Sequence, residues 1–180
     1  LEINLSCPNI KKGCLDFQSN ADSAKRLLTN IRKETKKLVF TKLSPEAGDN
    51  FLDVAEASLI GGTDGFSLIN TLKAMAVNIR TRKPLIANIT GGLSGPAIKP
   101  IALRYVYETK KNFKAPVIAM GGIMTGEDAL EFLLVGADLI SVGTANFINP
   151  RASMVVLEGI EKFLNEQKIS LNDFRGSLVS

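Results

Sequence analysis

Short apolar segments alternate with helical segments along almost the whole of this 180-residue chain. Strand patterns occur in the opening segment 1–9 and at 38–43, 65–69, 117–120 and 139–142. Helical patterns follow at 20–37, 49–60, around 101–106, at 125–136 and at 150–166, with a short terminal helix after Ser170. Asn20 is predicted to cap the first helix, and Thr125 with Asp128 to form a capping box at the start of the fourth. This alternation is typical of βαβ units in a parallel sheet that is buried on both faces.

The number of strand patterns limits the architecture. Five core strands are expected in one domain over residues 1–180, whereas a (β/α)₈ barrel needs eight strands and about 250 residues. The first residue is Leu1, and the chain starts inside a strand pattern. We therefore expect either the later part of a longer chain or an open sheet, and a fragment would leave strand edges unpaired.

Two segments carry weaker patterns. Residues 10–19 are predicted to form a loop, either a mobile flap or a plain surface loop. Residues 72–83 are predicted to be irregular, 84–89 a short accessory strand, and 90–100 a glycine-rich turn that leads into a helix.

Composition excludes several classes of function. The chain has no histidine, so acid–base chemistry falls to Cys, Asp, Glu, Lys or Tyr, and no metal site is expected. The net charge of +4 comes from scattered basic residues with few aromatics nearby, which argues against nucleic-acid binding. Cys7 and Cys14 make neither a disulfide framework nor an iron–sulfur site, which fits a reducing cytoplasm. No apolar run is long enough to cross a membrane.

Polar and reactive side chains gather where the first strand ends. Pro8 ends the strand, so Asn4, Ser6, Cys7 and Asn9 lie at or just beyond its carboxyl end. Ligands of parallel α/β folds bind at that end of the strands. A free cysteine is also commonly a small buried hydrophobe, so Cys7 alone leaves both interpretations open.

Later strand ends carry glycine pairs and further polar groups. Gly121–Gly122 and Gly143–Thr144 follow successive strands, where bare backbone amides favour a phosphate-bearing ligand. Neither a Walker motif nor Gly-x-Gly-x-x-Gly is present. Lys42 lies in an apolar strand, where its ammonium can stabilise negative charge on a cofactor or substrate. Asn70 follows another strand, and its amide suits either a planar polar ring or a buried turn.

Six motifs together resemble the dihydroorotate dehydrogenase family, and in particular its NAD-linked class IB catalytic subunits. The motifs cover residues 4–9, 42–45, 69–71, 87–100, 120–122 and 142–147. The resemblance implies an α/β fold, an FMN-binding (β/α)₈ TIM barrel, of which this chain holds about the last five βα units with the first strands missing. Cys14 departs from the family pattern, which often has glycine there.

The resemblance also implies roles for individual residues. Cys7 is the expected catalytic base. The expected substrate-binding residues are Asn4, Asn9, Asn70 and Thr71. The expected FMN-binding residues are Asn4, Lys42, Ile69, Gly95, Gly121, Gly122, Gly143 and Thr144.

The implied reaction is the oxidation of dihydroorotate to orotate in pyrimidine biosynthesis. Cys7 would remove the C5 proton while hydride passes from C6 to flavin N5. The expected partner is an electron-transfer subunit with FAD and an iron–sulfur cluster, in a heterotetramer built on a catalytic homodimer. The alternatives are another FMN barrel reductase, similar to dihydropyrimidine dehydrogenase, and a non-catalytic phosphate-binding fragment.

Overall fold

The computed structural model describes residues 1–6 and 17–179. Its strands are β1 (Glu2–Asn4), β2 (Phe40–Leu43), β3 (Gly65–Leu68), β4 (Leu72–Met75), β5 (Val77–Asn78), β6 (Lys83–Pro84), β7 (Thr90–Leu93), β8 (Val117–Ala119) and β9 (Leu139–Ile140). Its α-helices are α1 (Ala21–Glu34), α2 (Phe51–Ile60), α3 (Lys99–Asn112), α4 (Gly126–Leu134), α5 (Ala145–Ile148), α6 (Ala152–Gln167) and α7 (Leu171–Phe174). Pro45–Asn50 and Pro96–Ile98 form 3₁₀ turns.

Within the described residues, five parallel strands form one sheet in the order β1-β2-β3-β8-β9. These are the five strands that the sequence predicts. The register pairs Asn4 with Lys42 and Lys42 with Ser67, so the carboxyl ends of three strands meet at one edge. In this part of the chain the sheet is open at β1 and β9, so the strands do not close a barrel.

The helix ends follow the predicted capping residues. Asn20 accepts a hydrogen bond from the Ser23 amide at 2.9 Å and so caps α1. Thr125 and Asp128 form the capping box expected at the start of α4. These local signals fix where the helices begin. None of the described helices is long and apolar enough to cross a membrane.

Three phenylalanines fill the space around the sheet. Phe51, Phe66 and Phe132 are each at most 2% exposed, and burial of such a side chain contributes about 1.5–3 kcal/mol. The Phe51 ring lies 4.3 Å from the Tyr105 ring, centroid to centroid. The Tyr105 hydroxyl donates to the Pro45 carbonyl at 3.1 Å, and burial raises the pKa of this tyrosine. This core holds helices α2 and α3 against the strands that carry the site.

The prediction for residues 72–100 is partly wrong. The segment predicted to be irregular contains β4 and β5, and the accessory strand is β7 rather than 84–89. β4 pairs with β7 in antiparallel fashion from Leu72↔Leu93 to Met75↔Thr90, and β5 pairs with β6. Gly91 and Gly92 are part of this ladder. Glycine suits both positions because an added Cβ would collide with the side chains of Ile86 and Thr71.

Candidate active site

A cavity of about 290 Å³ lies at the carboxyl edge of the parallel sheet, and we call it the glycine cavity. Seven of the eight predicted cofactor-binding residues line it: Lys42, Ile69, Gly95, Gly121, Gly122, Gly143 and Thr144. The predicted substrate-binding residues Asn70 and Thr71 also line it. Five motifs that are distant in sequence therefore meet around one space.

The glycines of this cavity differ in what an added Cβ would meet. Gly121 and Gly122 have φ of 128° and 77°, which side-chain-bearing residues rarely adopt. A Cβ on Gly122 would also lie 2.8 Å from the Gly95 carbonyl oxygen. At Gly143, by contrast, an added Cβ meets nothing within 4 Å and would project into open space. The backbone is thus bare where a ligand can approach it.

Lys42 and Glu2 form an ion pair on the wall of the glycine cavity. The Lys42 Nζ lies 3.6 Å from a Glu2 carboxylate oxygen, and the two side chains are 23% and 44% exposed. The other Glu2 oxygen accepts a hydrogen bond from the Ser67 hydroxyl at 2.7 Å. The sequence patterns indicated Lys42 but neither Glu2 nor Ser67. The sequence did contain a signal for Glu2, because alternate residues of a strand share a face and Glu2 therefore lies on the same face of β1 as Asn4.

Asn70 joins the first strand to the third through its amide. Its Nδ2 donates to Asn4 Oδ1 at 3.1 Å and to Ser6 Oγ at 2.6 Å. Its Oδ1 accepts from the Thr71 amide at 2.8 Å. Its own backbone amide donates to the Leu43 carbonyl at 2.8 Å, which extends the parallel ladder to this residue. Asn4, the eighth predicted cofactor-binding residue, therefore reaches the site through Asn70.

A second cavity of about 510 Å³ adjoins the first, and we call it the hairpin cavity. Asn70 and Thr71 line both cavities. Ser6 lines the hairpin cavity from one side and Gly91 and Gly92 from the other. The predicted base Cys7 follows Ser6 in the chain, but Cys7, Asn9 and Cys14 lie outside the described residues.

An ion-pair cluster supports the glycine turn from outside the cavity. Lys99 Nζ lies 2.6 Å from Asp128 and 2.7 Å from Glu131. The hydrogen bond to Asp128, followed by that to Glu131, raises the pKa of Lys99. Burial alone would raise the pKa of Asp128, but hydrogen bonds from Lys99 and from two backbone amides lower it overall. The cluster ties α3 to α4 beside Gly122, whose added Cβ would meet Lys99.

Comparisons with known proteins identify the family of this chain. Residues 1–164 match the family model described as dihydroorotate dehydrogenase. A relative from Alkaliphilus metalliredigens, named dihydroorotate dehydrogenase B (NAD(+)), catalytic subunit, is 49% identical over 99% of this chain and 59% of its own length. A relative of the same name from Geotalea uraniireducens is 46% identical over 100% of this chain and 59% of its own.

A solved structure matches the fold. The crystal structure of ligand-free type DHODH from Eimeria tenella has a TM-score of 0.79 and 27% identity, over 98% of this chain and 54% of that chain. The α/β architecture is therefore part of a TIM barrel, as predicted. The chain spans about 59% of the length of the curated relatives it matches. From its sequence and its fold, the chain belongs to the dihydroorotate dehydrogenase family.

Proposed function

We propose that the intact protein oxidises dihydroorotate to orotate with FMN as its cofactor, in pyrimidine biosynthesis. The observation that carries this proposal is the meeting of all six family motifs around two adjoining cavities. Membership of a family that is in general flavin-dependent supports a flavin here. We further propose that residues 1–180 are the C-terminal portion of a single (β/α)₈ domain, which is consistent with the open sheet edges.

The chemistry of the glycine cavity suits FMN. Open space beside Gly143 and the positive φ of Gly121 and Gly122 leave backbone free of Cβ atoms for a phosphate group. Gly143, Thr144 and the Gly121–Gly122 turn would hold the phosphate, while Lys42, Ile69 and Gly95 would line the ring. FMN would supply the acceptor for the hydride that leaves C6 of dihydroorotate, at flavin N5.

The hairpin cavity suits the substrate. Asn4, Asn70 and Thr71 would orient the planar ring of the substrate, because amide and hydroxyl groups both donate and accept hydrogen bonds. We assign Asn9 to the same group on the basis of its motif. The Asn70 amide is held by Asn4 and Ser6, so its orientation is fixed before a substrate arrives.

Cys7 would act as the base that removes the C5 proton of dihydroorotate. Cys7 follows Ser6 in the sequence, and Ser6 lines the hairpin cavity that we assign to the substrate. A free thiol has a pKa of about 8.5, and nearby positive charge lowers that value toward neutrality. The proton lies next to a carbonyl, so the cationic Lys42 would stabilise the negative charge that develops as it leaves.

We infer that electrons leave the site through a partner subunit. The relatives' names specify NAD(+) and a catalytic subunit. An FAD and iron–sulfur partner would connect FMN to NAD⁺, in a cytoplasmic heterotetramer built on a catalytic homodimer. Neither nucleic acid nor membrane has a role in this proposal.

The test is substrate discrimination by the intact purified protein. We expect flavin absorption, orotate formation from dihydroorotate, and no turnover of uracil or dihydrouracil. Turnover of those two compounds instead would favour a dihydropyrimidine dehydrogenase-like reductase. A colourless protein that binds phosphate without turnover would support a non-catalytic role and contradict the proposal.

A further inference from the structure

The charge balance of the glycine cavity depends on one pair of side chains. Among the described residues that line this cavity, Glu2 and Lys42 are the two that carry charge. Their charged groups are 3.6 Å apart, and both side chains are partly shielded from water. Any negative charge that develops on a ligand in the cavity therefore interacts with both members of the pair.

Sheet register explains why these two side chains meet. Asn4 lies directly opposite Lys42, so Glu2, two residues earlier on the same face, is the diagonal neighbour of Lys42. Ser67 lies directly opposite Lys42 on the other side, in β3. The pair is thus built on regular strands, which hold side chains more firmly than loops do.

Ser67 fixes the carboxylate of Glu2. Ser67 is fully buried, at 0% exposed, and its hydroxyl donates to Glu2 Oε2 at 2.7 Å. Hydrogen bonds to ionised acceptors are among the stronger ones in proteins. This leaves Oε1 directed at the Lys42 ammonium, where it offsets part of that positive charge.

We propose that Glu2, anchored by Ser67, is a positioning residue that holds the Lys42 ammonium and tunes how readily the cavity's ligand accepts electrons. The inference rests on the proposed function, in which that ligand is FMN. FMN that gains two electrons and one proton carries one additional negative charge. Lys42 favours that charge, whereas Glu2 opposes it and limits the effect of Lys42. Glu2 therefore keeps the midpoint potential of bound FMN lower than the lysine alone would set it.

The experiment measures the midpoint potential of FMN in the intact protein by dye-coupled redox titration. We expect Glu2→Gln to favour reduced over oxidised FMN by roughly tenfold, because a charge near the ring is removed. Tenfold corresponds to a rise of about 30 mV for a two-electron couple. Ser67→Ala leaves the charge but releases it toward water, so we expect a smaller rise. Glu108→Gln is the matched control, since Glu108 pairs with Arg104 on an outer helix and should leave the potential unchanged.

Each outcome separates the inference from the function it rests on. A Glu2→Gln protein that binds FMN at the wild-type potential, or at a lower one, overturns the inference while the proposed function stands. If Glu2→Gln loses FMN or fails to fold, the Ser67→Ala protein decides, and an unchanged potential there overturns the inference. A wild-type protein that binds no FMN overturns the proposed function and the inference together.

Discussion

The two cavities share Asn70 and Thr71 but are built in different ways. The glycine cavity is made largely of strand ends and glycine turns in consecutive βα units, with a bare backbone as its wall. The hairpin cavity is lined by polar side chains and by antiparallel strands that pair across 72–93. One cavity thus depends on backbone conformation and the other on side-chain identity.

This difference predicts how each cavity responds to mutation. Backbone-built walls tolerate many side-chain changes around them but not an added Cβ at a glycine. Walls built from amides and hydroxyls lose specific hydrogen bonds when one group is removed, while the backbone stays in place. Cofactor binding and substrate chemistry should therefore be separable by single substitutions.

Cys7→Ala should have the largest effect, and that effect should fall on turnover rather than on cofactor binding. Loss of a general base lowers turnover by about 10²–10⁴-fold, while FMN bound in the glycine cavity should stay at wild-type occupancy. Orotate formation and flavin absorbance, measured on the same sample, test both halves. Cys14→Ala is the matched control and should keep most activity. Near-normal turnover in Cys7→Ala would show that another group removes the proton.

Two glycine substitutions test the other cavity. Gly122→Ala places a side chain at φ 77° against the Gly95 carbonyl, so we expect a loss of about 1–3 kcal/mol in the free energy of unfolding and weak FMN binding. Gly143→Ala has no such clash, so its stability should be near wild type. Its methyl group should obstruct the phosphate of the proposed FMN.

Denaturant unfolding and FMN titration distinguish these two glycine variants. Gly48→Ala is a control for backbone strain alone, since Gly48 has φ 57° and open space around its Cβ position. It should lose stability but bind FMN normally. Wild-type FMN affinity in Gly143→Ala would mean that the phosphate does not lie beside that glycine.

The same contrast explains what the sequence could predict. The five parallel strands and the caps at Asn20 and Thr125 follow from local patterns, and the structure confirms them. Strands β4 and β7 were not predicted because their sequences lack clear alternation. Within the described residues each pairs with the other, and such a partner cannot be read from either segment alone. Gly91 and Gly92 suggested a turn, but they pair with β4 in an antiparallel ladder.

The candidate site shows the same limit. Motif positions predicted the lining of the glycine cavity, because strand ends meet at one edge whatever the details of packing. The Glu2–Lys42–Ser67 contacts were not predicted, since they depend on register between strands that are distant in sequence. The roles of all the site residues stay predictions, and Cys7 and Asn9 also lie outside the described residues.

Asn70→Ala should give a moderate effect confined to the substrate side. It removes the amide that contacts Asn4 and Ser6, so we expect the KM for dihydroorotate to rise about tenfold, the equivalent of one or two hydrogen bonds. FMN affinity should change by less than about threefold. Steady-state kinetics and FMN titration measure the two effects. Asn112→Ala, which removes an exposed amide on α3, should alter neither. A larger effect on FMN than on substrate would place Asn70 with the cofactor instead.

Asp128→Asn should give the smallest effect, and one that depends on pH. The pKa of Asp128 in the folded protein lies below its ordinary 3.8, because hydrogen bonds outweigh the opposing effect of burial. Its contribution to stability is therefore fully present above pH 3.8 and is lost as the pH falls through the folded value. We expect the variant to lose about 1 kcal/mol in the free energy of unfolding at pH 7, with the difference narrowing below pH 4. Glu127→Gln, in the same helical turn, controls for charge at the helix start. A difference that stays constant down to pH 3 would show that packing, rather than the ionised carboxylate, stabilises the start of α4.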